Sequence, residues 1–179
     1  MKHIFLVTGN PGKLTEWHRI LPDSIDIDSI DIDLAEIQSM SPEEIVADKA
    51  KRAYAAAQKP VVVEDVAVNI AKLNGLPGPF VKFFIKALGS DALYKVSSDG
   101  AAATVSCAMA YYDGSELITV RSDVPGKITA PRGENGFGFD GTFVPDSHEK
   151  TYAEMSDDEK DTVSHRAQAI RLLIDALQK

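Results

Sequence analysis

The sequence predicts an α/β fold, and three observations carry that prediction. Apolar runs of strand length, such as Ile4 to Val7 and Val61 to Val63, alternate with segments whose apolar residues recur at helical spacing. Proline and serine punctuate the helical segments where starts and stops belong. The chain has 179 residues and is 44% hydrophobic, enough to fill the core of one domain.

Residues 3 to 7 read as a first strand, and Lys13 to Leu21 as a helix stopped by Pro22. The stretch 23 to 34, "DSIDIDSIDIDL", repeats a pentapeptide in which isoleucines mostly alternate with acids. It reads as a half-buried strand with an acidic outer face, because it lacks the mid-loop Gly and closing Glu of a calcium loop. Ser41-Pro42-Glu43-Glu44 is a helix start: a capping serine, proline at the first helical position and Glu44 at the capping-box position. That helix runs to about Gln58 and ends before Pro60.

"VVVED" is a buried strand ending in two carboxylates, and "GLPGPF" turns the chain into a helix from about Pro79 to Leu88. Residues 101 to 112 and 116 to 121 are two strands joined through Asp113-Gly114, a hairpin signal. "PRGENGFGFDGTF" is a glycine-rich loop with aromatics. Ser156-Asp157-Asp158-Glu159 is a second capping box. From Ser164 as cap, Ala167, Ile170, Leu173, Ile174 and Leu177 keep a helical period.

A net charge of −8 argues against general attraction to nucleic acid or an anionic membrane, so any anion site must be local. The single Cys107 cannot form an intrachain disulfide and sits in an apolar, strand-like run. No stretch is long enough to cross a bilayer, and "MKHIFLV" is too short an apolar segment for a secretory leader. The expected compartment is the cytoplasm.

"TGNPGK" resembles a phosphate loop but fails both common patterns. Only two residues separate its glycines, Leu14 follows the lysine, and Thr15 stands where a dinucleotide loop has its third glycine. The physics of a strand-to-helix turn remains: amides at a helix N-terminus, with Thr8, Asn10 and Lys13, favour an anion. Lys13, Lys82 and Arg166 all fall in the first turn of expected helices, the unfavourable end for a cation, and Lys160 sits near another helix start. Together they suggest a shared polyanion.

Carboxylates are the natural complement, since triphosphate chemistry usually needs a hard divalent ion on oxygen ligands. Glu64 and Asp65 lie at the end of an apolar strand, where α/β sheets place functional groups, and Asp65 is nearer the following loop. Asp65 is therefore the expected general base or metal ligand. Phe137 and Phe139 offer plates for a nucleobase, with Asp140 as an acceptor, and Ser164-His165-Arg166 offers donors to a purine edge or a phosphate.

In order along nearly the whole chain, "TGNPGK" with Glu16, "VVVED", "LNGLPGPFVKFF", "GKITAPRG", "GFGFD", "TYAEM" and "EKDTVSHR" resemble the inosine triphosphate pyrophosphatase family. The resemblance implies a single domain, residues 1–179, built on a long bent mixed β-sheet whose flanking helices form two lobes around a central cleft, commonly as a homodimer. It implies hydrolysis of non-standard purine nucleoside triphosphates to monophosphate and pyrophosphate, with Mg2+ as cofactor and Mn2+ as a substitute. Thr8, Gly9, Asn10 and Lys13 would cradle the triphosphate, with Lys49 and Lys82 adding charge. Glu36, Glu64 and Asp65 would serve the metal, Asp65 also activating water. Phe137, Gly138, Phe139, Asp140, Lys160, Ser164, His165 and Arg166 would hold the base. A 6-oxo group accepts where the adenine amino group donates, so donors such as Arg166 give a basis for choosing hypoxanthine and xanthine.

Three residues depart from the family pattern: Val66 after the acidic pair, Phe139 in place of a Trp or Tyr, and Pro11 within the loop. Val66 removes a hydrogen bond beside the metal site. Two other readings remain open at this level: a non-catalytic nucleotide sensor, against which Glu36 and Asp65 count, and a pyrophosphatase of different or broad specificity.

Overall fold

A computed structural model describes residues 2–178. The α/β expectation is met: seven strands form one mixed sheet in the order β2-β1-β3-β5-β6-β7, with β4 paired to β3 and helices around it. β1 (Lys2–Val7) pairs in parallel with both β2 (Ile25–Ile30) and β3 (Val61–Ile70). β3 pairs antiparallel with β4 (Pro77–Gly78), and β6 (Leu117–Ile128) antiparallel with β7 (Phe143–Pro145). β5 is Ala102–Tyr112.

The chain divides into two compact units. The first comprises residues up to Asp65, Cys107–Ser122 and Arg166 onward; the second comprises Val66–Ser106 and Asp123–His165. In the first, Val46, Ala50 and Ala53 lie four and three residues apart along α2 (Pro42–Ala57). They form its buried stripe and pack with Val61, Val63 and Ala108. In the second, Val68, Val105, Ile128, Phe143, Tyr152 and Met155 belong to one buried cluster. Cys107 is fully buried in β5, and burial raises its thiol far above the ordinary range, so it is inert.

Several boundaries differ from expectation, each for a local reason. The acidic repeat is strand only over Ile25–Ile30, because its ladder ends at Val7↔Ile30, where β1 turns into the loop and offers no further partner. α1 (Pro11–Ile20) starts two residues early: Asn10 caps it, accepting from the Gly12 amide at 2.9 Å, and Pro11 supplies a preset φ. Ser41 caps α2 as expected, but Glu44 accepts from the Ser39 hydroxyl, and it is the Ser39 oxygen that receives the Ser41 amide.

α3 is Val81–Leu88, since Pro77 and Gly78 are first used as a strand. The hairpin is longer than read, because β6 continues to Ile128 against β7. Its turn is held by Asp113 Oδ1, which accepts from the amides of Ser115 and Glu116. The second capping box is present, Ser156 with Glu159, at the head of α5 (Asp157–Val163). α6 (His165–Leu177) follows Ser164 directly, and α4 (Ala92–Val96) went unforeseen.

Candidate active site

The first unit gathers most of the expected phosphate and metal residues. On α1, Lys13, Glu16 and Trp17 stand three and four positions apart and so share one face. That face meets Glu64 of β3. Lys13 Nζ lies 2.8 Å from Glu64 Oε1, Trp17 Nε1 donates to Oε2 at 3.3 Å, and Arg166 Nε donates at 3.1 and 3.2 Å. Arg166 also bonds Glu16 through Nη1. Glu16, Trp17, Glu64 and Arg166 are all buried.

Two residues expected at the base and at the metal, Arg166 and Glu64, bond to each other in this network. Arg166 does not face outward as a donor for a purine edge; its guanidinium lies between two carboxylates. Glu64 was expected to serve a metal, yet both its oxygens are engaged by cations and the indole. Burial pushes Glu64 upward, but Arg166 and Lys13 outweigh it and hold the carboxyl well below the usual range. The same two carboxylates keep the Arg166 guanidinium protonated in spite of its burial.

The loop itself is largely self-satisfied. The Thr8 amide donates to Ile30 O, Asn10 N to Thr8 Oγ1, Gly12 N to Asn10 Oδ1 and Lys13 N to Asn10 O. The expected amide cradle is thus mostly closed on itself, and the cationic contribution falls to Lys13. A Cβ on Gly9 would come within 2.9 Å of Asp31 Oδ1, so the carboxylate of Asp31 rests against the loop there.

Asp65 is the exception in this unit. It is 8% exposed, and its Oδ2 is buried with no hydrogen-bond partner. Burial pushes its pKa up to about 6; Lys49 and Lys13 oppose that rise and Glu64 adds to it. Lys49 is in turn bound to Glu36 at 2.6 Å, and burial lowers its pKa against the pull of Asp65 and Glu64.

Among the described residues no three His, Cys, Asp or Glu side chains are placed to hold a metal. The donor set nevertheless fits a hard divalent ion of the magnesium type, which commonly takes one or two carboxylates and completes its shell with phosphate oxygens and water. The orphaned oxygen shows that the Asp65 carboxylate is not spent on protein donors, so Asp65 is the natural protein ligand, with Glu36 beside Lys49 the second.

The second unit holds most of the residues expected at the base. Lys160 Nζ lies 2.8 Å from Asp140 Oδ2 with both side chains 6% exposed, and that same oxygen accepts from the Phe137 amide at 2.9 Å. The ammonium stands 5.3 Å from the Phe137 ring centre. Phe139 is buried and lies 5.9 Å from the His165 ring, so it is core, and Phe137, half-buried like Gly138, is the ring left to meet a base. Ser164 and His165 are buried, and Lys82 is the second residue of α3, as expected. The glycine loop borders a cavity of about 210 Å³ walled in part by Ser90, Gly133, Gly136, Phe137, Asp140 and Ala153.

Sequence reasoning passed over Trp17 and treated Glu16 only as part of a motif. The available signal was their spacing: an acid and an indole at three and four residues from Lys13, on the face α1 must bury.

Compared with known proteins, residues 4–176 match the family model described as the Ham1 family. The chain belongs to the Ham1 family. Among its relatives, the inosine triphosphate pyrophosphatase of Schizosaccharomyces pombe is 40% identical, the alignment covering 99% of this chain and 96% of that one. That of Yarrowia lipolytica is also 40% identical, over 95% and 93%. The Ham1 protein of Staphylococcus aureus superposes with a TM-score of 0.83 at 29% identity, covering 99% and 98%. A Mycobacterium abscessus protein described as a nucleoside-triphosphatase / dITP/XTP pyrophosphatase gives 0.68 at 29% identity, covering 96% and 98%. The mixed α/β sheet of this family member therefore has solved counterparts along nearly its whole length.

Proposed function

We infer that this Ham1 family member hydrolyses non-standard purine nucleoside triphosphates, ITP, dITP and XTP, to the monophosphate and pyrophosphate, clearing them from the nucleotide pool. The near full-length identity to inosine triphosphate pyrophosphatases supports the substrate class. The observation that carries the chemistry is Asp65, a buried carboxylate whose Oδ2 has no donor and whose pKa is pushed up to about 6. A base works best with a pKa close to the operating pH and an unblocked oxygen. A nucleotide sensor would have no use for that arrangement.

Asp65 takes the proton of the attacking water, which strikes in line on a phosphorus of the α–β linkage. Lys13 and Lys49 neutralise the charge that develops on the pyrophosphate portion, joined by Lys82. The two lysines that act on Asp65, Lys13 and Lys49, are each already paired with a carboxylate, Glu64 and Glu36, so they bring little uncompensated positive charge to a polyanionic substrate. Triphosphate therefore calls for a divalent cation, held by Asp65 with Glu36, and Mg2+, with Mn2+ as substitute, would supply Lewis-acid neutralisation of its oxygens. Phe137 with Gly138 covers the base, and Asp140, Lys160, Ser164 and His165 shape its place.

We assign the activity to residues 1–179 as one domain, working as a homodimer in the cytoplasm. No helix among the described residues is long and apolar enough to cross a membrane. The test is release of pyrophosphate and orthophosphate from ITP, XTP, dITP, ATP and GTP, with and without Mg2+, alongside Asp65→Asn. The reading requires pyrophosphate as product, preference for the first three, and loss of turnover in the variant. Orthophosphate as main product, or an active Asp65→Asn, overturns it.

A further inference from the structure

We propose that Trp17 is a positioning residue for the triphosphate site, acting through Glu64 to hold the Lys13 ammonium in place. The proposal rests on the reading that Lys13 serves the triphosphate, and it concerns the sole tryptophan of the chain. Three facts support it.

Trp17 is fully buried and its Nε1 donates to Glu64 Oε2 at 3.3 Å, while Lys13 sits on Oε1 at 2.8 Å. The two α1 side chains, one turn apart, thus grip opposite oxygens of one carboxylate. Glu64 side-chain exposure is 1%, so no solvent rearrangement can replace a lost donor cheaply. Finally, an indole donates a hydrogen bond without adding charge. Arg166 Nε reaches both oxygens, so the indole N–H adds a neutral donor at Oε2 that fixes the plane of the carboxylate and leaves its charge to Lys13 and Arg166.

The consequence is a division of labour along α1. Asn10 fixes the start of the helix by capping Gly12, and Trp17 fixes its inner face to β3 through Glu64. Between these two points Lys13, 23% exposed in its side chain, is the cation that remains accessible. A long flexible side chain tethered at its tip costs less entropy to use than a free one. Releasing the tether therefore weakens triphosphate binding and leaves the chemical step at Asp65 alone.

The experiment compares the unmodified protein with Trp17→Phe and with the benzothiophene analogue of tryptophan at position 17, which keeps the bicyclic shape and lacks only the N–H. The analogue carries the test if Trp17→Phe folds poorly. KM and kcat for ITP are measured at saturating Mg2+, together with the affinity for inorganic tripolyphosphate by calorimetry, and Lys13→Met is run in parallel. We expect the analogue to raise KM and the tripolyphosphate Kd about tenfold, with kcat within about twofold, the split that marks lost ground-state binding. A KM and Kd at or below those of the unmodified protein, with Lys13→Met impaired, reduce Trp17 to core packing and overturn the proposal alone. If Lys13→Met itself binds tripolyphosphate normally, the role of Lys13 falls and the proposal falls with it.

Discussion

Glu64 and Asp65 are consecutive residues of β3, 3% and 8% exposed, yet the protein holds them in opposite electrostatic states. Glu64 is gripped by Lys13, Arg166 and the Trp17 indole, while Asp65 Oδ2 has no donor. Strand geometry is the cause, because neighbouring side chains leave opposite faces of the pleat and meet different surroundings. One carboxylate is thereby fixed as a permanent anion, and the other is kept within reach of a proton at neutral pH. A pair of acids pushed apart in this way is a frequent signature of a catalytic site.

Asp65→Asn should be inactive and more stable than the unmodified chain at pH 8. The folded pKa of Asp65, about 6, lies above the ordinary 3.8, so the folded state binds the proton more tightly. The stability it favours is fully present below about pH 3.8 and is lost as pH rises through about 6. A displacement of that size corresponds to about 3 kcal/mol. Melting of the metal-free protein from pH 4 to pH 8 should show the gap between variant and parent opening with rising pH. Turnover should fall about 10²- to 10⁴-fold, the usual contribution of a positioned base. A variant no more stable than its parent at pH 8 would show that Asp65 carries no burial penalty.

Glu64→Gln should behave in the opposite sense. Removing this charge leaves Lys13 and buried Arg166 short of a partner, at a cost of about 3–5 kcal/mol at neutral pH. The folded pKa of Glu64 is depressed, so its contribution is present above the ordinary value of 4.5 and fades as pH falls below it. Denaturant unfolding at pH 7 and pH 3.5 should therefore show a large difference between parent and variant at the first pH and a smaller one at the second.

The contrast between these two acids also marks how far the sequence could be read. Hydrophobic period and capping chemistry made the helices, the hairpin at Asp113-Gly114 and the strand carrying Asp65 legible, because those signals are local. The partners of Arg166 were not legible: Glu64 is 102 residues away and Glu16 is 150. A cation at a helix start looks the same in sequence whether it faces a ligand or a buried acid. The burial of Phe139 was hidden for the same reason, since "GFGFD" does not say which ring turns toward the core. The end of β2 was equally hidden, being set by the length of β1, its neighbour in the sheet.

Gly136→Ala should damage selectively the glycine loop proposed to meet the base. Gly136 has φ +76°, a region L-residues avoid, and an added Cβ would collide with Asp140 Oδ2. That oxygen already binds both the Phe137 amide and Lys160, so it cannot retreat without releasing them. The expected cost is about 1–3 kcal/mol in stability, together with a higher KM for ITP. The affinity for tripolyphosphate, which has no base, should change little. Equal losses for both ligands would argue for general unfolding of the loop.

Lys160 and Asp140 provide the last test, a double-mutant cycle between two buried charges. Either single change, Lys160→Met or Asp140→Asn, strands one buried group and should cost about 3–5 kcal/mol. The double variant should cost less than the sum of the two, because the second change removes the charge that the first left unpaired. Stability alone would not separate a structural pair from one that places the base. The Phe137 ring sits 5.3 Å from the Lys160 ammonium, so losing that charge should also loosen the ring from its place over the cation. The double variant is therefore expected to regain stability relative to the single changes while keeping a raised KM for ITP. If KM returns to the parent value together with stability, the pair is only a scaffold, and base placement must rest on Phe137 and its neighbouring glycines.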